Sequence, residues 1–328
     1  MTKTLAMFPG QGSQYVGMAS ELLDNFRYTS EIFEEVEDAL SVPIRRLCLE
    51  GPEDELTLTE NTQPAILTVS VATWEVLKRE IEFKADYYAG HSLGEYSALV
   101  ASGKLELADA AKLVKERGRQ MQLAVPSGRG AMLAVLNYPF EDLKTLMDSV
   151  TQRMLSGEYS DLTEGLSSED LKMASSLDLA NFNSEKQLIV SGGKQAVDVL
   201  ESLLVEKKVK AVSLAVSAPF HSSLMVPAKE SLRDQILALT LKDETANIIA
   251  NVDGKLAAPY SLNLLVDQID GSVLWAQTLS EAAELGVKKL VEVGPGRVLF
   301  GLARRAVAKD VSLTHTDQVR AALETLKN

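Results

Sequence analysis

Short apolar runs alternate along this chain with longer stretches in which apolar positions recur every three or four residues. Leu5–Phe8 is a compact apolar run stopped by Pro9-Gly-Gln-Gly12, the pattern of a buried strand entering a glycine loop. Met18–Leu40 has helical apolar spacing with acids on the opposite face. Thr62-Gln-Pro64 opens a second helical stretch, Ala65–Arg79, and a proline suits a first helical turn. Ala85–Ala89 reads as a strand, Gly90-His-Ser-Leu-Gly94 follows at once, and Glu95–Ala101 continues as a helix ended by Gly103. Leu107–Val125 is another amphipathic helix. Strands alternating with helices predict an α/β fold around a parallel sheet.

The pattern changes after Pro126-Ser-Gly-Arg-Gly130. Ala131–Leu136 reads as a strand, Glu141–Met154 as a helix, Leu177–Asn181 and Gln187–Ser191 as strands, Lys194–Lys207 as a helix and Ala211–Val216 as a strand. The order βαββαβ is the ferredoxin-like pattern. It predicts a small domain at 127–211 inserted into a core made of 1–126 and 212–328. Ser156–Asp170 is polar and acidic, a loop or weakly ordered helix, and Lys289–Val293 is a late core strand before Gly294-Pro-Gly296.

Length and composition narrow the chemistry. A chain of 328 residues fits two domains, or one large domain with an insertion. Its single cysteine, Cys48, excludes an internal disulfide framework and a cysteine-rich zinc site. Three histidines leave little room for a metal centre, and histidine catalysis must use His91, His221 or His315. The longest uncharged stretch, Ala211–Ala228, holds two prolines and four serines and is no membrane span. The N-terminus is too poor in apolar residues for a signal peptide, so the cytoplasm is the expected location. A net charge of −13 argues against nucleic acid as a partner. The acids concentrate in Glu21–Glu60, with twelve acids against three bases, and in Glu141–Glu185, with ten against three. Gly286–Asp310 is left basic, with six cations against two acids, as a solvated face or as a docking surface for an acidic protein.

Gly90-His-Ser-Leu-Gly94 fits the G-x-S-x-G nucleophile elbow, in the strand–turn–helix context that the motif needs. The turn lifts the Ser92 hydroxyl to a helix N-terminus, where the Leu93 N–H can stabilise an oxyanion. A serine hydroxyl needs a base near neutral pH. His91 is its neighbour and should point away from it, and His315 sits in a polar stretch that reads as surface. His221 ends the run Val216–His221 at a strand-to-loop transition, where catalytic side chains collect in open α/β sheets. Elimination favours His221.

These residues, with Phe8-Pro-Gly-Gln-Gly-Ser-Gln14, Thr62-Gln-Pro-Ala65, Gly90–Ala98, Arg117-Gly118, Asn181–Ser184, Ala218–Ser222 and Glu292–Gly296, resemble the malonyl-CoA:acyl carrier protein transacylases. The likeness extends to the related acyltransferase domains of fatty-acid and polyketide synthases, and it runs nearly the full length of the chain. It implies an α/β-hydrolase-like core with a ferredoxin-like insertion. It also implies a ping-pong transfer of malonyl from malonyl-CoA to the phosphopantetheine thiol of acyl carrier protein through an ester on Ser92. By the same resemblance, His221 is the base and the Gln11 and Leu93 amides form the oxyanion hole. The resemblance makes Arg117 a fork that binds the malonate carboxylate bidentately, although on its own it reads as a solvated arginine, as most helix arginines are. Gln63 lines the pocket, and Phe220 matches the malonyl-selective form of its motif. A backbone carbonyl, here from Gln268, orients the histidine in place of an acid, with Asn251 as the competing orienter.

No metal or resident cofactor is implied, since coenzyme A arrives as part of the substrate, and a monomer is expected. Residues 154–173 look like an insertion relative to compact relatives. Two alternatives share the Ser–His chemistry: a freestanding acyltransferase of a polyketide pathway, and a hydrolase that proofreads acyl carrier protein.

Overall fold

The computed structural model describes residues 2–216, 218–242 and 245–327; Ser217, inside the Val216–His221 run, lies outside them. The chain is mixed α/β, with two compact units. The first comprises Met1–Arg119, Gln235–Leu262 and Gln277–Asn328, and the second Gln120–Asp234 and Asn263–Ala276.

Among the described residues ten strands form: β1 Lys3–Phe8, β2 Tyr87–Gly90, β3 Gly130–Leu136, β4 Leu177–Ser184, β5 Gln187–Gly193, β6 Lys210–Ser213, β7 Asn247–Ile249, β8 Leu256–Ala257, β9 Val287–Glu292 and β10 Ser312–His315. The first unit holds a six-stranded sheet ordered β10-β9-β1-β2-β7-β8. All its neighbours are parallel except β7 and β8. The central strand β1 is buried from Thr4 onward, as its continuous apolar run requires when helices cover both faces.

Two helices depart from the sequence expectation. The Met18–Leu40 stretch is two helices, Ser20–Asn25 and Thr29–Leu40. The buried Thr29 hydroxyl donates to Phe26 O at 2.7 Å, supplying a partner that the end of the first helix lacks. The second helix begins at Thr59, not beside Pro64, and runs to Ile81. Asn61 N and Thr62 N both donate to Leu58 O at 2.8 Å, which closes the opening turn early. Pro64 is therefore inside the helix, near enough to its start that only one backbone bond is forgone.

The second unit is an antiparallel sheet ordered β4-β5-β3-β6. Leu133, Val135, Leu188 and Val190 from its strands pack on Leu143, Met147 and Leu200 from helices Phe140–Leu155 and Lys194–Glu206. The unit is wider than the 127–211 insert expected from the sequence. Segment 263–276 joins it because Phe182 N donates to Val273 O at 2.9 Å and Val273 N to Ala180 O at 2.8 Å, extending the edge of β4. The acidic 156–170 connection is partly helical: Ser160–Thr163 and Ser168–Ser175 form, the latter capped by Ser167 Oγ on Asp170 N at 3.1 Å.

Ion pairs already use part of the basic segment, Lys288 with Asp310 at 2.7 Å and Arg297 with Asp317 at 3.8 Å. Arg304 and Arg305 are exposed at the end of helix Val298–Ala306. Among the described residues, no helix is long and apolar enough to cross a membrane.

Candidate active site

The loop between β2 and helix Gly94–Ala101 is a sharp elbow with Ser92 at its apex. Ser92 has φ +51°, a left-handed conformation that costs a non-glycine residue roughly 1–2 kcal/mol. Both motif glycines are needed for close approach. A Cβ on Gly90 would overlap the Gly94 backbone, and one on Gly94 would overlap the Phe8 carbonyl at the end of β1. Gly10 is pressed against the His91 carbonyl in the same way, which sets the Gln11 loop directly beside the elbow. Leu93 is 1% exposed and lies at the helix N-terminus, where backbone N–H groups converge on an anion. The Gln11 side chain reaches Thr59 Oγ1 at 3.5 Å.

Asn251, which follows β7, holds the elbow from below. Its Oδ1 accepts from Ser92 N at 2.6 Å and its Nδ2 donates to Gly90 O at 2.5 Å. Both polar ends of the side chain are thus engaged by the elbow. The reason is topological: β7 pairs with β2, which puts the residue after β7 under the turn after β2. Glu95, fully buried, accepts from Tyr260 Oη at 2.7 Å and from Asn251 N at 3.4 Å. Neither this carboxylate nor Tyr260 was singled out from the sequence, because a glutamate at the start of a helix reads as surface. Asn251→Ala should lower the rate of Ser92 acylation roughly 10- to 100-fold, from 1–3 kcal/mol of lost elbow hydrogen bonding. Asn251→Asp keeps the acceptor for Ser92 N and loses the donor to Gly90, so it should fall in between. Stopped-flow acylation rates check the order.

Arg117, on helix Leu107–Leu123, is only 1% exposed. Its Nη1 donates to Gln63 Oε1 at 2.8 Å, its Nη2 donates to Ser92 Oγ at 3.0 Å, and its guanidinium lies 5.5 Å from the Tyr96 ring centroid. The solvated reading of this arginine is thereby excluded. Burial pushes its pKa down, opposed by the nearby Tyr96 and Glu95; an arginine keeps its charge regardless. Gly118 makes the approach possible, since a Cβ there would crowd Thr59 O and Glu60 at the start of the long helix. One glycine thereby brings Arg117 and Gln63 together.

His221 belongs to the second unit. It too has a left-handed backbone, φ +56°. Its Nδ1 lies 3.0 Å from Gln268 O and 3.0 Å from Gly271 O. Two carbonyl acceptors at Nδ1 place the proton there and leave Nε2 with a lone pair. Ser222 Oγ donates to Pro219 O at 2.6 Å, and Ser223 N and Oγ donate to Asp178 Oδ2 at 2.9 and 2.7 Å, bracing the turn after the histidine. Phe220 is 8% exposed, and a Cβ on Gly130 would collide with the neighbouring Pro219 ring. The Gly271 carbonyl had no sequence signal. His315 is not a plain surface residue: it is half-buried on β10, edge-on to Phe300 at 5.1 Å, and burial lowers its pKa. Among the described residues, no group of three or more His, Cys, Asp or Glu side chains could hold a metal ion.

The first unit thus carries a serine on a strained elbow beside a buried cation, and the second carries a histidine whose Nδ1 faces two backbone carbonyls. The acyl transferase domain family matches residues 7–165. The malonyl CoA-acyl carrier protein transacylase of Bacillus subtilis is 37% identical over 332 residues, covering 100% of this chain and 98% of that protein. The crystal structure of FabD from Acinetobacter baumannii superposes with a TM-score of 0.88 at 37% identity, covering 100% of this chain and 98% of that one. A malonyl-transacylase solved with its type II polyketide synthase acyl-carrier protein gives 0.86 at 35% identity, covering 99% and 100%. With identity at this level over essentially the whole length, the chain belongs to the malonyl CoA-acyl carrier protein transacylase family of acyltransferases.

Proposed function

We propose that this acyltransferase moves malonyl from malonyl-CoA to the phosphopantetheine thiol of an acyl carrier protein, through an ester on Ser92, and so supplies fatty-acid synthesis. Ser92 Oγ attacks the thioester carbonyl while His221 Nε2 takes its proton. The carbon–sulfur bond breaks, and His221 returns the proton to the departing thiolate. The carrier thiol then gives its proton to His221 and attacks the ester, and Ser92 leaves as the alcohol. The Gln11 and Leu93 amides stabilise the oxyanion in both half-reactions. The Gln268 and Gly271 carbonyls do the orienting work that a carboxylate does in a Ser-His-Asp triad. The chemistry calls for no metal or redox group, because coenzyme A enters as part of the substrate.

The observation that carries this reading is Arg117, a buried guanidinium 3.0 Å from Ser92 Oγ. One arm is held by Gln63 and the other rests on the nucleophile. A malonate carboxylate is a stronger acceptor than a hydroxyl and pairs with the planar fork bidentately. An uncharged acyl group gives that cation nothing. Intact-mass measurement of the carrier protein, after incubation with enzyme and equal malonyl-CoA and acetyl-CoA, should show malonyl-carrier in excess by ~100-fold or more; comparable loading of both would defeat the reading.

The fold supports the same assignment. The parallel run β10-β9-β1-β2-β7 with a nucleophile elbow after β2 fits an α/β-hydrolase-like core. The order β4-β5-β3-β6, reached in the sequence βαββαβ, fits a ferredoxin-like unit inserted in it. The likeness to a polyketide-synthase transacylase favours one second reading, in which the chemistry is unchanged and the carrier belongs to a polyketide assembly line. Relative rates with carriers of the two kinds distinguish them.

A further inference from the structure

We propose that Lys229 is a positioning residue for His221: its ammonium ties together Asp267 and Asp270, the carboxylates that bracket the turn whose carbonyls hold the imidazole. The inference rests on the reading of His221 as the base. Lys229 Nζ lies 3.0 Å from Asp267 Oδ1 and 3.0 Å from Asp270 Oδ1. Asp267 immediately precedes Gln268, and Asp270 immediately precedes Gly271. The two carbonyls on His221 Nδ1 therefore come from the residues that directly follow the two carboxylates clamped by Lys229.

The electrostatics explain why a cation is needed there. Helix Leu262–Gln268 ends at Gln268, so its unsatisfied carbonyls already carry partial negative charge at that end. Asp267 and Asp270 add two like charges within the same turn. Without a counter-ion they would repel each other and the carbonyls, and the turn would open. Its backbone bonds include Ile269 N to Val266 O at 3.3 Å and Gly271 N to Asp267 O at 3.0 Å. Lys229 comes from helix Val226–Leu237, eight residues after His221, so one stretch of chain supplies both the imidazole and the cation that steadies its anchor. Lys229 and Asp270 are mostly covered, with side chains 24% and 21% exposed, and Asp267 is 59% exposed. Exposed pairs contribute little to global stability. The effect is on geometry: a shift of one carbonyl by about 1 Å takes it out of hydrogen-bond range of Nδ1, and misplacement on that scale costs up to roughly a hundredfold in rate.

The test uses the full-length enzyme. Lys229→Met keeps the aliphatic stem and removes the ammonium, Lys229→Arg restores a cation, and Asp270→Asn removes one clamped charge. The readouts are the single-turnover rate of Ser92 acylation, the KM for malonyl-CoA, Tm, and the ¹H–¹⁵N resonance of His221 Nδ1–H. Lys229→Met should slow acylation about five- to tenfold, leave KM within about twofold, and broaden or shift the Nδ1–H resonance. Lys229→Arg should recover most of the rate, and Asp270→Asn should fall between. Unchanged acylation with an unchanged Nδ1–H resonance in Lys229→Met overturns the proposal, as does a loss that follows Tm and is not rescued by arginine. His221→Ala separates the two levels. If it still acylates at the normal rate, the base assignment fails; if it is dead while Lys229→Met is normal, only the positioning role fails.

Discussion

Ser92→Ala is expected to take up no malonyl group from malonyl-CoA and to lose at least ~10⁴-fold in turnover, as serine enzymes do without their nucleophile. The variant should still fold. Alanine bears the same left-handed penalty that Ser92 bears at φ +51°, and the amide that Asn251 holds at 2.6 Å belongs to the backbone and is retained. What disappears is Oγ, together with the hydrogen bond that Arg117 Nη2 makes to it at 3.0 Å. Intact-mass spectrometry after incubation with excess malonyl-CoA reads the result directly. Stoichiometric labelling of Ser92→Ala would place the acyl group elsewhere and remove Ser92 from the mechanism. A native-like Tm beside absent labelling separates lost chemistry from lost fold.

Arg117→Ala is expected to cut kcat/KM for malonyl-CoA by ~10²–10³-fold while leaving acetyl transfer within about tenfold of the starting value, or raising it. The magnitude follows from removing one partner of a desolvated charge pair, about 3–5 kcal/mol, where 1.4 kcal/mol is a factor of ten. The asymmetry follows from the substrate, because acetate has no second carboxylate to leave unpaired. Arg117 is 1% exposed and donates to Gln63 Oε1 at 2.8 Å. Some loss of stability therefore accompanies the change, and both acyl groups feel it equally. The ratio of malonyl to acetyl transfer, not either rate alone, is the informative quantity. If both fall together, Arg117 supports the pocket without reading the carboxylate. Arg117→Lys keeps the charge and loses the fork, and should restore only part of the preference.

Much of the architecture was legible because it is written locally. The strand–glycine loop at Leu5–Gly12 and the strand–turn–helix at Ala85–Ala101 need only an apolar run, a glycine pair and helical spacing. The elbow glycines are needed for contacts with residues four positions along and with the end of β1. Other features had no local trace. The break at Phe26–Tyr28 depends on a buried threonine hydroxyl, and the early start of the Thr59–Ile81 helix on a shared carbonyl at Leu58. Residues 263–276 join the second unit through backbone pairing with β4, which carries no side-chain pattern.

The site divides along the same line. The residue types that can perform acyl transfer, and the spacing that puts Ser92 on an elbow, lie in contiguous stretches of chain, where sterics and hydrogen bonds act between near neighbours. Partnerships across long separations came only from the folded chain. Gln63 and Arg117 meet because Gly118 lets two helices touch. Asn251 reaches the elbow because β7 lies beside β2. Two carbonyls reach His221 from 47 and 50 residues away. A backbone carbonyl is chemically the same at every position, so only packing chooses which one faces an imidazole. Packing likewise turned Arg117 from an unremarkable helix arginine into a buried cation beside Ser92.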